Sequence, residues 1–170
     1  MKRELLETLE EKVDPRHTAL VVVDVQNDFC ADGGFLDQAY GPKGFRMDEI
    51  QAMVPRLEGL LEAARNAGIL PVFIQSYYDD CYLSDAMVEM TQRDNRDLPL
   101  CLKGGWGADF YRVRPEEGEI VVNKHRFNAF EGTDLDLILR NHNVRTLVMT
   151  GVATNVCVES TLRAGFFKNY

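Results

Sequence analysis

Four short apolar runs divide this 170-residue chain, and segments with helical periodicity lie between and after them. The first run, "TALVVVDVQ" at 18–26, is rich in β-branched residues, and the others lie at 69–76, 119–124 and 145–152. Such runs, with little alternation of polar residues, are typical of strands buried on both faces of a sheet. We therefore predict four strands, the second with Pro71 near its start.

Helical periodicity is clearest at 48–68, where apolar residues recur on one face and Gly68 occupies the position of a C-terminal cap. Pro55 lies inside this segment, so the helix either begins near it or bends there. Two further helices are predicted, one at 133–143, which opens with T-x-x-D, and one from 155 to about 167.

The long segment 77–118 has no strong period and is rich in Asp, Gly and Arg. We predict an irregular excursion with one helix at 84–91 and a glycine-rich turn, "KGGWG", at 103–107. A connection of this length without regular structure is usually functional.

The order strand–helix–strand–excursion–strand–helix–strand–helix predicts an α/β fold with a mostly parallel sheet between two layers of helices. No internal repeat, low-complexity tract or linker divides 1–170, and this length is enough for one hydrophobic core. We therefore expect a single domain.

Composition and charge exclude some classes of function. Apolar residues make up 45% of the chain and charged residues 27%, as in ordinary soluble globular proteins. The net charge of -8 argues against nucleic acid and anionic membranes as partners, because both present phosphate groups. No apolar run approaches the roughly 20 residues of a membrane-spanning helix.

The N-terminal segment and the cysteines indicate where the protein works. Residues 1–15 are too charged for a secretory signal, and their apolar positions predict a short surface helix ended by Pro15. The cysteines form no CxxC pair, so we expect no disulfides and a cytoplasmic location. They are Cys30, Cys81, Cys101 and Cys157.

An acid, a base and a thiol lie at the ends of three predicted strands. Asp24 follows "LVVV", Lys124 follows "IVVN", and Cys157 belongs to a turn that begins at Gly151. Gln75 lies at the end of the remaining strand. Ligands of open parallel sheets bind outside the carboxyl ends of the strands, so we expect these residues to converge on one rim.

These residue types suit nucleophilic attack on a carbonyl carbon. A free thiol has a pKa of about 8.5, and a place in the first turn of a helix lowers it. We expect Thr154 or Asn155 to cap that helix, with Cys157 among unpaired N–H groups that can receive an oxyanion. Asp24 would accept the thiol proton and return it to a leaving amine, while Lys124 holds the carboxylate ionised.

Each of these three residues can also be interpreted without a catalytic role. A lone cysteine on a helix is most often a small buried hydrophobe, and the other three cysteines are interpreted in that way. Lys124 alone would be a solvated charge, whereas Asp24 at the end of a buried strand needs a partner to offset its desolvation. A redox-sensing thiol and a catalytically silent binding subunit remain as alternatives.

Metal and phosphate chemistry have weaker support. His17, His125 and His142 are scattered, without H-x-x-x-H or D-x-H spacing, so no metal site is predicted. The "KGGWG" turn lacks the spacing of phosphate-binding glycine loops. We interpret it as a turn that positions Trp106.

Three stretches carry a family resemblance that extends from His17 onward. They are "ALVVVDVQNDFC" around Asp24, "VVNKHRFNAFEGTDLDLIL" around Lys124 and "TGVATNVCVESTLRAGFF" around Cys157. In these stretches the chain resembles the isochorismatase-like cysteine hydrolases, and the residues of its motifs are most similar to those of the ureidoacrylate amidohydrolase branch. Nicotinamidases usually carry a metal-binding D-x-H that is missing here, and true isochorismatases lack the cysteine.

The resemblance implies a three-layer α/β/α fold and a triad of Asp24, Lys124 and Cys157. It also implies a cis peptide bond between Val152 and Ala153, with the N–H groups of Ala153 and Cys157 as the oxyanion hole. The implied activity is hydrolysis of small amides or ureides through a thioester, with release of ammonia or an amine and without cofactor or metal. A homodimer or homotetramer is implied as well.

Two further expectations concern the substrate pocket and the C-terminus. The predicted substrate-binding residues are those on the implied rim and its loops: Gln26, Asn27, Phe29, Gln75, Tyr77 and Trp106. Subunit packing is the alternative for the aromatic ones. Family members continue beyond the position of Tyr170 with another strand, so the resemblance predicts a sheet that lacks its C-terminal strand.

Overall fold

The computed structural model describes residues 5–93, 95 and 97–170. Its centre is a four-stranded parallel sheet with the spatial order β3-β2-β1-β4. The strands are β1 (Thr18–Val23), β2 (Leu70–Ser76), β3 (Ile120–Lys124) and β4 (Thr146–Gly151). The predicted parallel α/β architecture is therefore confirmed.

Within the described residues, eight α-helices accompany the sheet. They are α1 (Leu9–Lys12), α2 (Asn27–Cys30), α3 (Phe35–Tyr40), α4 (Met47–Gln51), α5 (Val54–Ala67), α6 (Asp85–Gln92), α7 (Leu135–Asn141) and α8 (Glu159–Phe167). None of these helices is long and apolar enough to cross a membrane.

Helices cover both faces of the sheet because the strands bury side chains in both directions. In β1, Val21 and Val23 pack with Leu135 and Leu139 of α7 on one face. Val22 packs with α5 on the other face. All six residues of β1 are buried, which explains why its sequence is a continuous apolar run.

The long helix α5 shows how local sequence and packing agree. Val54, Leu57, Leu61 and Ala64 are its buried residues. Pro55 stands in the first turn, where its missing N–H group is not needed, so the helix begins there and does not bend. Gly68 ends the helix at φ 77°, in the left-handed conformation that glycine adopts most readily.

Several predicted boundaries differ from the structure. The strand predicted at 18–26 ends at Val23, because Asp24 has a φ of 52° and leaves the extended conformation. The helix predicted at 84–91 is α6, and the N-terminal helix is reduced to α1, with its predicted residues 1–4 outside the described part. The missing C-terminal strand stays a prediction.

Helices α2 and α3 were missed by the sequence analysis, because they have only four and six residues, which is too short for a recognisable helical period. The helix predicted at 48–68 is divided into α4 and α5, with a break at 52–53. Contacts with distant parts of the chain hold α2 and α3, as described below for Asp28.

The turn after β4 requires a glycine. Gly151 has a φ of 106° and pairs with Val23 in the β1–β4 register. An added Cβ atom would lie 2.0 Å from the Val23 carbonyl oxygen. The two strands therefore approach each other in a way that only a bare α-carbon permits.

We expect Gly151→Ala to lower the free energy of unfolding by roughly 2–5 kcal/mol, from the left-handed backbone and the overlap with Val23. Chemical denaturation measures this. Gly118→Ala is the matched control, since Gly118 has a φ of 86° but an added Cβ would meet no described atom within 4 Å. Its loss should be about 1–2 kcal/mol. Equal losses in the two variants would contradict the close-approach argument.

Candidate active site

The structure brings the predicted acid, base and thiol together beyond the carboxyl ends of the strands. Asp24 and Lys124 are fully buried, and Cys157 is 6% exposed. The Lys124 Nζ atom lies 2.8 Å from Asp24 Oδ2 and 3.5 Å from Cys157 Sγ. Three residues that are far apart in sequence therefore form one buried cluster.

Ser76 completes this cluster, and the sequence analysis missed it. Its Oγ atom donates a hydrogen bond to Asp24 Oδ1 at 2.9 Å and accepts one from Lys124 Nζ at 2.8 Å. The sheet order explains this place, because β2 lies between β1 and β3 and Ser76 is its last residue. Ser76 pairs with Lys124 in the register of β2 and β3. This pairing could have identified Ser76 from the sequence only if the order of the strands in the sheet had been known.

The ammonium group of Lys124 is fully buried and has several partners. Besides Asp24 and Ser76, it donates to the Arg126 carbonyl oxygen at 3.0 Å. Burial lowers the pKa of Lys124, but the charge of Asp24, the hydrogen bond to it and the other neighbours together outweigh burial and raise the pKa above its usual value. Lys124 is therefore a fixed cation.

The thiol of Cys157 differs from the expectation. Burial raises its pKa, the Asp24 carboxylate raises it further, and Lys124 opposes them only in part. The predicted lowering of the thiol pKa is wrong, because burial and the charge of Asp24 together outweigh the effect of Lys124. The resting site therefore contains a neutral thiol beside a carboxylate.

The segment around Cys157 also differs from a simple helix start. Thr154–Val158 form one π-helical turn before α8, and Ala153 is the N-cap residue. No described side chain caps this turn, so Thr154 and Asn155 do not have the predicted capping role. The turn places Cys157 on its buried side.

The two oxygens of Asp24 have different partners. Oδ2 is paired with Lys124 Nζ at 2.8 Å, and no other described residue donates a hydrogen bond to it. Oδ1, in contrast, is taken by Ser76. Oδ2 is therefore the oxygen that is available to accept a proton.

The peptide bond between Val152 and Ala153 is cis. The Ala153 carbonyl oxygen accepts hydrogen bonds from the N–H groups of Val156 and Val158, at 3.1 and 3.2 Å. Ala153 and Cys157 both line the same cavity. The two residues of the predicted oxyanion hole are therefore neighbours at the surface on which a substrate would lie.

The cavity above Cys157 has a volume of about 230 Å³. Its walls are mostly aromatic and aliphatic, and its polar floor contains Asp24 and Cys157. The wall residues that the sequence analysis did not identify include Phe35, Leu36, Tyr40, Tyr78, Phe127 and Val156. Phe35, Leu36 and Tyr40 lie on the short helix α3, whereas Tyr78 and Phe127 lie in irregular segments. In neither case does a sequence period indicate which side chains face inward.

Of the six residues predicted to bind substrate, Phe29 lines this cavity, and the described lining does not include the other five. Gln26 and Gln75 both donate to the Ala108 carbonyl oxygen at 2.8 Å, and Asn27 donates to that of Trp106 at 2.8 Å. These amides hold the 106–108 turn over the strand ends. Trp106 itself is 54% exposed, and Tyr77 packs against a neighbouring cluster.

Asp28 joins the segments that form the cavity walls. Its carboxylate accepts the N–H groups of Phe35 at 3.1 Å and Cys101 at 2.6 Å. Gly107 packs so closely that a Cβ atom there would lie 2.2 Å from Asp28 Oδ2. This buried carboxylate therefore connects α2, the start of α3 and the long excursion, and it explains why α3 forms.

No group of three or more His, Cys, Asp or Glu side chains in the described part of the chain is arranged to hold a metal ion. Two further cysteines are buried near the site. Burial raises the pKa of Cys30 to about 12 and that of Cys101 well above its usual value. Both therefore remain neutral thiols.

Comparison with known proteins agrees with this geometry. The model of the isochorismatase domain matches residues 18–170. A ureidoacrylate amidohydrolase of Enterobacter sp. (strain 638) is 41% identical over 169 residues, which cover 92% of this chain and 72% of the relative.

Two solved structures share the fold. A cysteine hydrolase from Pseudomonas syringae pv. phaseolicola 1448A has a TM-score of 0.81 at 25% identity and covers 100% of this chain and 74% of that one. N-carbamoylsarcosine amidase from Thermoplasma acidophilum has a TM-score of 0.73 at 27% identity, with coverage of 91% and 78%. The resemblance carried by the three sequence stretches is confirmed. The chain belongs to the isochorismatase family and is a hydrolase of carbon–nitrogen bonds.

Proposed function

We propose that this protein hydrolyses a small ureido or carbamoyl compound, with Cys157 as nucleophile, Asp24 as general base and acid, and Lys124 as a fixed cation. The observation that carries the proposal is the buried Asp24–Lys124 ion pair against a thiol at the floor of a cavity. The names of the ureidoacrylate amidohydrolase and the N-carbamoylsarcosine amidase support this substrate class.

The first half of the reaction forms a thioester. Asp24 Oδ2 takes the proton of Cys157, and the sulfur attacks the carbonyl carbon of the substrate. The carbonyl electron pair moves to oxygen, and the N–H groups of Ala153 and Cys157 stabilise this oxyanion. The carbon–nitrogen bond then breaks while Asp24 returns the proton to nitrogen, and ammonia or an amine leaves.

The second half releases the acid. A water molecule gives a proton to Asp24 and attacks the thioester carbon, and the sulfur leaves and recovers its proton from Asp24. Lys124 remains protonated throughout, in agreement with its raised pKa. It stabilises the negative charge as this charge moves between carboxylate, sulfur and oxygen.

A second cavity supports a narrower substrate class. Its volume is about 470 Å³, and it shares Tyr40, Met90 and Thr91 with the cavity over Cys157. Lys43 lines this outer cavity, with its Nζ atom 5.2 Å from the centre of the Tyr40 ring. Arg93 lines it too, paired with Glu89.

A substrate with a carboxylate would use both cavities. The inner cavity takes the planar, uncharged carbamoyl group against its apolar walls, and the outer cavity takes the carboxylate near Lys43. A carboxylate inside the apolar cavity would instead lose its hydration without a cation to compensate. We therefore propose an N-carbamoyl or ureido carboxylate as the substrate.

The first experiment measures ammonia release from ureidoacrylate, N-carbamoyl amino acids, biuret and nicotinamide. Cys157→Ala should lower kcat/KM on the best ureide by at least about 10³-fold, because no other group attacks the carbonyl carbon. Cys30→Ala is the matched control, since Cys30 is also a buried thiol but does not line the cavity, and it should retain activity.

Turnover that survives in Cys157→Ala would exclude Cys157 as the nucleophile. Turnover of nicotinamide alone would replace the proposed ureide with a nicotinamidase-type amide.

A second experiment tests the outer cavity with Lys43→Met. KM for a carboxylate-bearing N-carbamoyl amino acid should rise roughly threefold to fivefold, while kcat and the kinetics of neutral biuret stay unchanged. Added salt should reduce the difference between wild type and variant. Lys12→Met, on α1 and also exposed, is the control for loss of one positive charge. An equal effect on the neutral substrate would contradict a carboxylate site.

A further inference from the structure

The hydroxyl group of Ser76 lies between the side chains of Asp24 and Lys124. Ser76 is fully buried at the end of β2, and it contacts Asp24 on one side and Lys124 on the other. Neither Asp24 Oδ1 nor Lys124 Nζ can meet water there, since both residues are fully buried. The hydroxyl therefore gives both groups a hydrogen-bonding partner inside the protein.

The directions of these hydrogen bonds are determined by chemistry. Lys124 is a cation and can only donate, so Ser76 must accept from it. The single hydroxyl proton of Ser76 is then directed to Asp24 Oδ1. This arrangement occupies Oδ1 with the hydroxyl proton and fixes the plane of the carboxylate. It leaves Oδ2, whose described partner is the Lys124 ammonium group, for the thiol proton.

We propose that Ser76 is a positioning residue that selects Oδ2 of Asp24 as the proton acceptor. This inference rests on the proposed function, because it requires Cys157 to transfer its proton to Asp24. The hydrogen bond from Ser76 also stabilises the charged form of the carboxylate, which is the form that accepts a proton.

Other groups near Asp24 do not provide this effect. The Tyr78 hydroxyl is 3.5 Å from Ser76 Oγ, and burial raises the pKa of Tyr78, so it stays neutral. Cys30 and Cys101 are neutral for the same reason. The charged neighbour of Asp24 is Lys124, which Ser76 also holds in place.

The test follows alkylation of Cys157 by iodoacetamide, quantified by peptide mass spectrometry from mildly acidic to alkaline pH. Wild type should label faster at Cys157 than at Cys30, and its labelling rate should fall towards acidic pH, which gives the pH profile an acid limb. In Ser76→Ala this limb should move towards neutral pH by roughly one unit, and labelling at neutral pH should slow about tenfold. Ser76→Thr, which keeps the hydroxyl, should return the acid limb to its wild-type position.

Thr18→Val is the matched control for the loss of a buried hydroxyl. Thr18 is 1% exposed and lies at the opposite end of β1, where its Oγ1 donates to the Lys12 carbonyl oxygen. This variant should lose stability in thermal unfolding without any change in the acid limb.

Two results would overturn the inference. If wild-type Cys157 is labelled fast but the acid limb of Ser76→Ala lies at the same pH as that of wild type, the role of Ser76 is rejected and the proposed function is not. Wild-type labelling of Cys157 no faster than that of Cys30 would reject the proposed function and the role of Ser76 together.

Discussion

The ion pair between Asp24 and Lys124 is the constraint on which the rest of the site depends. Both charges are completely buried, and removal from water carries a large penalty unless each charge is paired and hydrogen-bonded. The fold meets this requirement by bringing three strand ends together, so that Ser76 and the Arg126 carbonyl oxygen complete the shell around Lys124. Loss of one charge alone would leave the other unpaired, which typically destabilises a protein by about 3–5 kcal/mol. The stability of the fold and the proposed chemistry therefore depend on the same two side chains.

The same burial determines how the thiol can work. A solvated cysteine at a helix start would hold part of its population as thiolate, whereas Cys157 has a raised pKa because burial and Asp24 both oppose its ionisation. In the proposed mechanism Asp24, close to the sulfur, accepts its proton, and Lys124 is a permanent cation next to both groups. Proton transfer inside such a cluster leaves its net charge unchanged, so a buried site can perform it without water.

Much of the fold and of the candidate site could be predicted from the sequence. What could not be predicted has physical causes. Buried parallel strands are continuous apolar runs, so Asp24 and Lys124 stand out as charges at their ends, and a glycine turn followed by a thiol points to Cys157. Ser76 and Tyr78 were missed because their role depends on which strand lies next to which. Gln26 and Gln75 were expected to contact substrate, but as amides they satisfy backbone carbonyl oxygens of the 106–108 turn.

The sequence by itself determined the class of fold, the order of strands along the chain and the three candidate catalytic residues, since these follow from local periodicity and residue type. Only the tertiary structure decided that β2 lies between β1 and β3, and this order is what inserts Ser76 between the acid and the base. It also decided the protonation of Cys157, because desolvation depends on how many atoms surround a group, and no short stretch of sequence contains that information.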